Sequence, residues 1–337
     1  MKNRYRKIAV VVCVLLPVAL FFVTRVKLSW QPVKIAVLAK NAEFALSPDE
    51  KLLVVATYEN RSLLRLLALT GVREIGRFRS QREISALTFS DDGKTLAWAS
   101  IATTEHKMTN STHRTGVALW DMKGKPRYLE MAREDLVYDR PQQLRVSPDG
   151  KTLWMASSDN LRAWDIASGK LKSQWRKDDL GRGSSFPYAS ALSKDCQFYF
   201  RSDDGGYTVW DVKTMKRLLR TKLPFLYDEN PEFSADANLA TYYGDAFTIS
   251  KGIFYPIFET RTGRVLWRSW GQSPITIVGD KAIRQQTAKT EVLDARDGKL
   301  IRTLPAAPNT YILPFVSREW LYSIDDNHET LYRQRLQ

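Results

Sequence analysis

The chain is poor in the residues that build disulfides, metal centres and nucleophilic sites. It has two cysteines, Cys13 in an apolar N-terminal run and Cys196 deep in the body. No structural disulfide is expected between such positions, and the thiols do not indicate a redox compartment. With three histidines (His106, His113, His328) and no Cys-x-x-Cys, a structural zinc site lacks its usual ligands. There is no Walker-type glycine loop, no Gly-x-Gly-x-x-Gly and no Gly-x-Ser-x-Gly. The common phosphate, dinucleotide and nucleophile-elbow chemistries therefore have no local signature here. Acidic residues are missing from positions 1–40, which hold eight bases. Since the whole chain has 51 bases and 37 acids, the remainder is only mildly basic. Much of the formal charge of +14 thus belongs to a targeting segment rather than to a nucleic-acid footprint.

What is present is ample core material, with 44% apolar residues and 11% aromatics among 337 positions. That composition specifies a packed globular body, and an all-β fold of this length can be one domain. Residues Ile8 to Val23 carry no charge and are flanked by Lys7 and Arg25. As a helix the run spans roughly 24 Å. Val26 and Leu28 extend it while Arg25 and Lys27 snorkel, so residues 8–26 are read as a signal-anchor transmembrane helix. Residues 1–7 are then a short basic cytoplasmic tail and 27–32 a linker. Four bases before the run against two just after it place the body on the extracytoplasmic side. The alternative is a secreted protein after signal cleavage. Small residues at the cleavage positions are missing, because Leu20, Phe21, Phe22 and Val23 follow Ala19.

Beyond the anchor a unit of about forty residues recurs. Phe44-Ala-Leu-Ser-Pro-Asp returns as Leu87-Thr-Phe-Ser-Asp-Asp-Gly and as Leu144-Arg-Val-Ser-Pro-Asp-Gly. Weaker copies follow at Ala191, Phe233, Ile277 and Phe315. The anchor serines Ser47, Ser90, Ser147, Ser193 and Ser234 are spaced by 43, 57, 46 and 41 residues, and Ser317 lies 83 further on. Each unit reads as four short strands: an alternating strand, a Ser-x-Asp-Gly turn, a second strand, a tight polar turn, a third strand and a fourth. In that turn Asp caps backbone donors and Gly takes a positive φ. Three third strands end in Trp-Asp, at Trp120-Asp121, Trp164-Asp165 and Trp210-Asp211.

These motifs resemble the WD-repeat β-propellers over residues 33–337. The resemblance implies an all-β, seven-bladed propeller of four-stranded antiparallel blades. Later units depart from it, with Glu259-Thr260 and Leu293-Asp294 in place of Trp-Asp and no Gly-His pair, so the family's buried His–Asp network does not carry over. Thr262-Gly-Arg-Val-Leu-Trp and Asp297-Gly-Lys-Leu-Ile also resemble quinoprotein-type repeats. The last unit lacks a fourth strand, and residues 33–40 have no unit of their own. Supplying that strand would close the ring and leave no open edge there.

In such propellers the second-to-third and fourth-to-first connections share a face that binds partners. The 57-residue spacing implies an insertion at Ile101–Gly116. It holds Glu105, His106 and His113, whose spacing matches no zinc pattern, and Ser111, which has no oriented base. The inter-blade connections carry Tyr138 and Arg140, then Arg182, Phe186 and Tyr188, then Phe225 and Tyr227, while Trp270 opens the connection into unit six. Arginine and aromatics on loops are hot-spot residue types, although rings of this kind also serve as packing between blades. Interspersed acids (Asp135, Asp139, Asp178, Asp179, Asp228, Glu229) argue against a phosphate-tracking surface, so nucleic acid is not the expected partner. The expectation is a membrane-tethered, non-catalytic protein-interaction scaffold with no catalytic residue, cofactor or metal. The alternative is an exported quinoprotein-like oxidoreductase or a propeller hydrolase.

Overall fold

The protein is all-β in a computed structural model. The structure describes residues 32–37, 43–57, 63–71, 73–80, 83–101, 115–129, 141–157, 160–176, 189–203, 206–221, 231–234, 236–242, 244–245, 253–270, 275–286, 289–306, 310–312, 320–325 and 330–336. Every helix or strand among them is a strand. The expected anchor, residues 8–26, lies outside the described residues, which contain no helix long and apolar enough to cross a membrane.

The described strands form seven antiparallel sheets, six of four strands and one of five. The first sheet runs in chain order through Glu43–Leu46, Leu52–Thr57, Leu63–Ala68 and Arg73–Arg79. The second, third, fourth and sixth repeat this order over residues 83–128, 141–176, 190–221 and 275–305. In the fifth sheet, Leu239–Thr241 and Gly244–Asp245 both pair with Ile253–Glu259. Their registers are continuous, so the two segments lie in line as parts of one second strand. The seventh sheet is built from Thr310–Ile312, Trp320–Asp325 and Thr330–Arg335, and its outermost strand comes from the other end of the chain. Val33–Val37 pairs antiparallel with Thr330–Arg335, with Val33 opposite Arg333 and Val37 opposite Thr330.

Alternation along a strand explains how the sheets pack. In Leu52–Thr57 successive side chains point to opposite faces. Leu53 and Val55 enter an apolar cluster with Tyr322, Ile324 and Leu331 of the seventh sheet. Val54 and Ala56 enter another with Ile84, Leu96 and Trp98 of the second. A strand covered on both faces needs a continuous apolar run rather than an alternating one, which is what Leu-Leu-Val-Val-Ala supplies. The same device links the second sheet to the third, the third to the fourth, and so on to the seventh. The packing is therefore propeller-like: each sheet lies on the next, and the last lies on the first. First strands of neighbouring sheets also touch, Glu43–Leu46 with Glu83–Phe89 and Pro141–Val146 with Ser190–Leu192. Fourth strands such as Arg73–Arg79 alternate exposed and half-buried residues and form the outer rim.

The Ser-x-Asp turn recurs five times with one hydrogen-bond pattern. In the third sheet Ser147 Oγ donates to Asp149 Oδ1, the Lys151 amide donates to the same oxygen at 3.0 Å, and the Thr152 amide donates to Ser147 Oγ at 2.9 Å. Ser47, Ser90, Ser193 and Ser234 repeat the arrangement. The residue three after the serine has a positive φ every time. Gly93 (68°) and Gly150 (69°) fill the role expected of glycine, but Glu50 (57°), Cys196 (58°) and Ala237 (56°) fill it elsewhere. The side-chain hydrogen bonds hold the turn closed whether or not glycine is present. The sixth sheet departs from the pattern, because Ile275–Val278 and Lys281–Gln285 are joined by only Gly279 and Asp280.

Candidate functional site

Antiparallel order sorts the connections between the two ends of the sheets. First-to-second and third-to-fourth turns lie at one end, with second-to-third and fourth-to-first connections at the other. Among the described residues the first end is built of short, internally bonded turns. There the aspartates of the Trp-Asp pairs cap the turn that follows. Asp165 Oδ1 accepts from the Ser168 amide and hydroxyl, both at 2.8 Å. Asp211 does the same with Thr214, and Asp121 accepts from the Lys123 amide. Where the pair is lost the cap survives: Asp294 accepts from the Arg296 amide, and Glu259 accepts from the Thr262 hydroxyl. Hydrogen bonds from Ser168 and Thr214 hold the Asp165 and Asp211 carboxyls below the usual range.

The tryptophans of these pairs have three different settings. Trp164 is fully buried between the second and third sheets. Trp210 is buried between the third and fourth, and its Nε1 donates to Thr208 Oγ1 at 3.0 Å. Trp120 is half-buried and donates to the Gly124 carbonyl at 3.2 Å. All six motif residues act in packing or turn closure.

Tyr138, Arg140, Arg182, Phe186, Tyr188, Phe225 and Tyr227 lie outside the described residues, as do Glu105, His106, Ser111 and His113. The strands that carry those connections are described. Residues 177–188 leave from Arg176 and re-enter at Ala189, which is fully buried. The Ala189 amide donates to Ser202 Oγ at 2.9 Å, and the Ser202 amide donates back to the Ala189 carbonyl. Trp270 is described as the last residue of the strand Val265–Trp270. Its ring lies 5.3 Å from that of Phe254 and is half exposed. The placement follows from register, since Trp270 pairs with Phe254 across the sheet.

The described residues hold no group of three or more His, Cys, Asp or Glu side chains that could bind a metal. Cys196 is buried, which pushes its thiol up to about 12 and keeps it protonated at neutral pH. Among the described residues a dense charge network sits in the sixth sheet. Glu291, 5% exposed, accepts from Lys289 Nζ at 2.7 Å, from Arg284 Nε at 2.8 Å and Nη2, and from Gln286 at 3.2 Å. Lys289 first and Arg284 next hold its carboxyl below the usual range. This network was not legible as a site in the sequence, because its members are ordinary strand residues until the register brings them together. Exposed large apolar side chains (Ile75, Tyr128, Leu218, Trp270, Leu300, Ile301) all lie on fourth strands. No protein-family model matches this chain, and no curated protein matches it in sequence.

Proposed function

We propose that residues 33–337 form a seven-bladed WD-type propeller, tethered to a membrane through residues 8–26 with its body on the extracytoplasmic side. In this reading the chain is a non-catalytic scaffold for protein partners. The observation that carries it is the cycle of seven apolar interfaces, each joining one sheet to the next and the last joining the first. Such a cycle makes a rigid frame. It sets the ends of the connections bearing Tyr138, Arg140, Arg182, Phe186, Tyr188, Phe225 and Tyr227 at one end of the sheets. Arginine and aromatic side chains are the residue types that dominate protein-binding hot spots.

The test is recovery of partners from detergent-solubilised membranes with the full chain as bait. Replacing Arg140, Arg182, Tyr188 and Tyr227 by Ala is expected to abolish recovery while leaving circular dichroism and melting unchanged. A folded quadruple mutant that recovers the same proteins refutes this surface. Cofactor absorbance in the purified chain, or turnover in a dehydrogenase and hydrolase screen, refutes the non-catalytic reading.

A further inference from the structure

The fourth and sixth sheets place an arginine at the same position in the repeat. Arg284, on a second strand, pairs in register with Glu291, three residues before Asp294. Arg201, also on a second strand, pairs with Thr208, three residues before Asp211. Asp294 and Asp211 both cap the turn after the third strand, so the second and third strands of the two sheets share one register at these positions. In the sixth sheet the guanidinium meets the Glu291 carboxylate through Nε and Nη2, and its Nη1 donates to Ser269 Oγ of the fifth sheet at 3.0 Å.

In the fourth sheet that carboxylate is missing. Arg201 is 3% exposed, yet its Nε and Nη2 have no hydrogen-bond partner and are closed off from solvent. Thr208 cannot replace the acid. Its hydroxyl donates to the Arg201 carbonyl at 3.3 Å and accepts from Trp210 Nε1. The face concerned is the one against the third sheet. Ser190, the register partner of Arg201, sends its hydroxyl to Gln142 Oε1 and to the Ser157 carbonyl at 3.2 Å. Tyr199 and Trp210, on the same face, pack on Ala156 and Leu161. Arg201 stands two residues from the end of its strand, at the end carrying the second-to-third connections. A buried guanidinium without a counter-charge is costly, whereas one that receives an anion in the fork geometry is stabilised.

We propose that Arg201 is the charged group of a carboxylate-binding site between the third and fourth sheets, in which the bound carboxylate takes the place that Glu291 fills beside Arg284. The two nitrogens that lack partners are the same two that Arg284 commits to Glu291, so the ligand group is a carboxylate presented edge-on to Nε and Nη2. Thr208 is shorter than Glu and uncharged, so the acid that Arg284 meets has no counterpart on this strand, and a carboxylate reaches Nε and Nη2 by displacing the atoms that now cover them. The inference does not depend on the scaffold reading.

The test follows thermal unfolding of the full chain in detergent as acetate replaces chloride at constant pH and ionic strength. Acetate is expected to raise the melting temperature with the logarithm of its concentration, by about 2 °C at roughly ten times the dissociation constant. Arg201→Met is expected to remove the response. Thr208→Glu, which supplies the acid internally, is expected to remove it while raising the melting temperature without acetate. A blocked Gly-Glu-Gly peptide separates the sources: a response to acetate indicates a free small carboxylate, and one to the peptide alone indicates a protein side chain. A wild-type chain that responds to neither beyond chloride overturns the proposal, as does an Arg201→Met chain that responds like wild type. Should either variant fail to fold, calorimetric titration of the wild-type chain with acetate against chloride decides the matter: saturable heat supports the site, and its absence overturns it.

Discussion

Two glycines with nearly the same φ make a sharp test of how these turns are stabilised. Gly150 has φ +69° and nothing within 4 Å of where a Cβ would stand. Gly298 has φ +73°, but an added Cβ would stand 2.9 Å from Trp267 Cδ2 and 3.1 Å from its Cε3. Alanine at 150 therefore incurs only the left-handed backbone penalty, about 1 kcal/mol. Alanine at 298 incurs that penalty and must also displace an indole whose Nε1 donates to the Ala295 carbonyl at 3.0 Å. Overpacking of this kind adds roughly 1–3 kcal/mol. The expected order is Gly150→Ala mild and Gly298→Ala severe, a total of about 2–4 kcal/mol for the second. Equilibrium urea unfolding of the full chain in detergent, followed by tryptophan fluorescence, reads both, provided the slopes are unchanged. Equal losses at the two sites would refute the steric part of the reasoning. No loss at Gly150 would refute the backbone part.

Other outcomes are expected from the packing and the charges. Trp164→Ala leaves a cavity between the second and third sheets and should cost about 3–5 kcal/mol in the same unfolding assay, since the ring is wholly buried. Deleting residues 33–37 removes the outermost strand of the seventh sheet and exposes the edge of Thr330–Arg335. Melting should fall and aggregation should rise, both measurable by light scattering during a thermal ramp. Asp49, Asp92, Asp149 and Glu291 all titrate below their ordinary values, the three aspartates chiefly through hydrogen bonds from Ser47, Ser90 and Ser147 and the glutamate chiefly through one from Lys289. Because their folded values lie below the unfolded ones, the stability they contribute is present above the ordinary carboxylate range, about pH 4, and is lost as pH falls through the folded values. Unfolding free energy measured against pH should therefore decline on the acid side, and Glu291→Gln should make that decline shallower.

The sequence by itself determined the local pieces. Ser147, Asp149 and Gly150 lie within four residues of one another, so their turn is decided by bonds whose partners are neighbours in the chain. The same holds for Asp165 and Ser168, and for the four-strand rhythm those turns impose. It did not require that the positive-φ position be glycine, and Glu50, Cys196 and Ala237 occupy it because the side-chain hydrogen bonds hold the backbone there. Tertiary structure alone decided which faces meet. Leu53 and Val54 are equally apolar in the sequence, yet one packs on the seventh sheet and the other on the second. Register, also a long-range property, set Arg284 beside Glu291 and left Arg201 beside Thr208. It likewise set Trp270 opposite Phe254 and brought Leu239–Thr241 and Gly244–Asp245 into line on Ile253–Glu259. Such pairings join residues far apart in the chain, whose meeting depends on the whole set of sheets assembling together, and no short stretch of sequence contains that information.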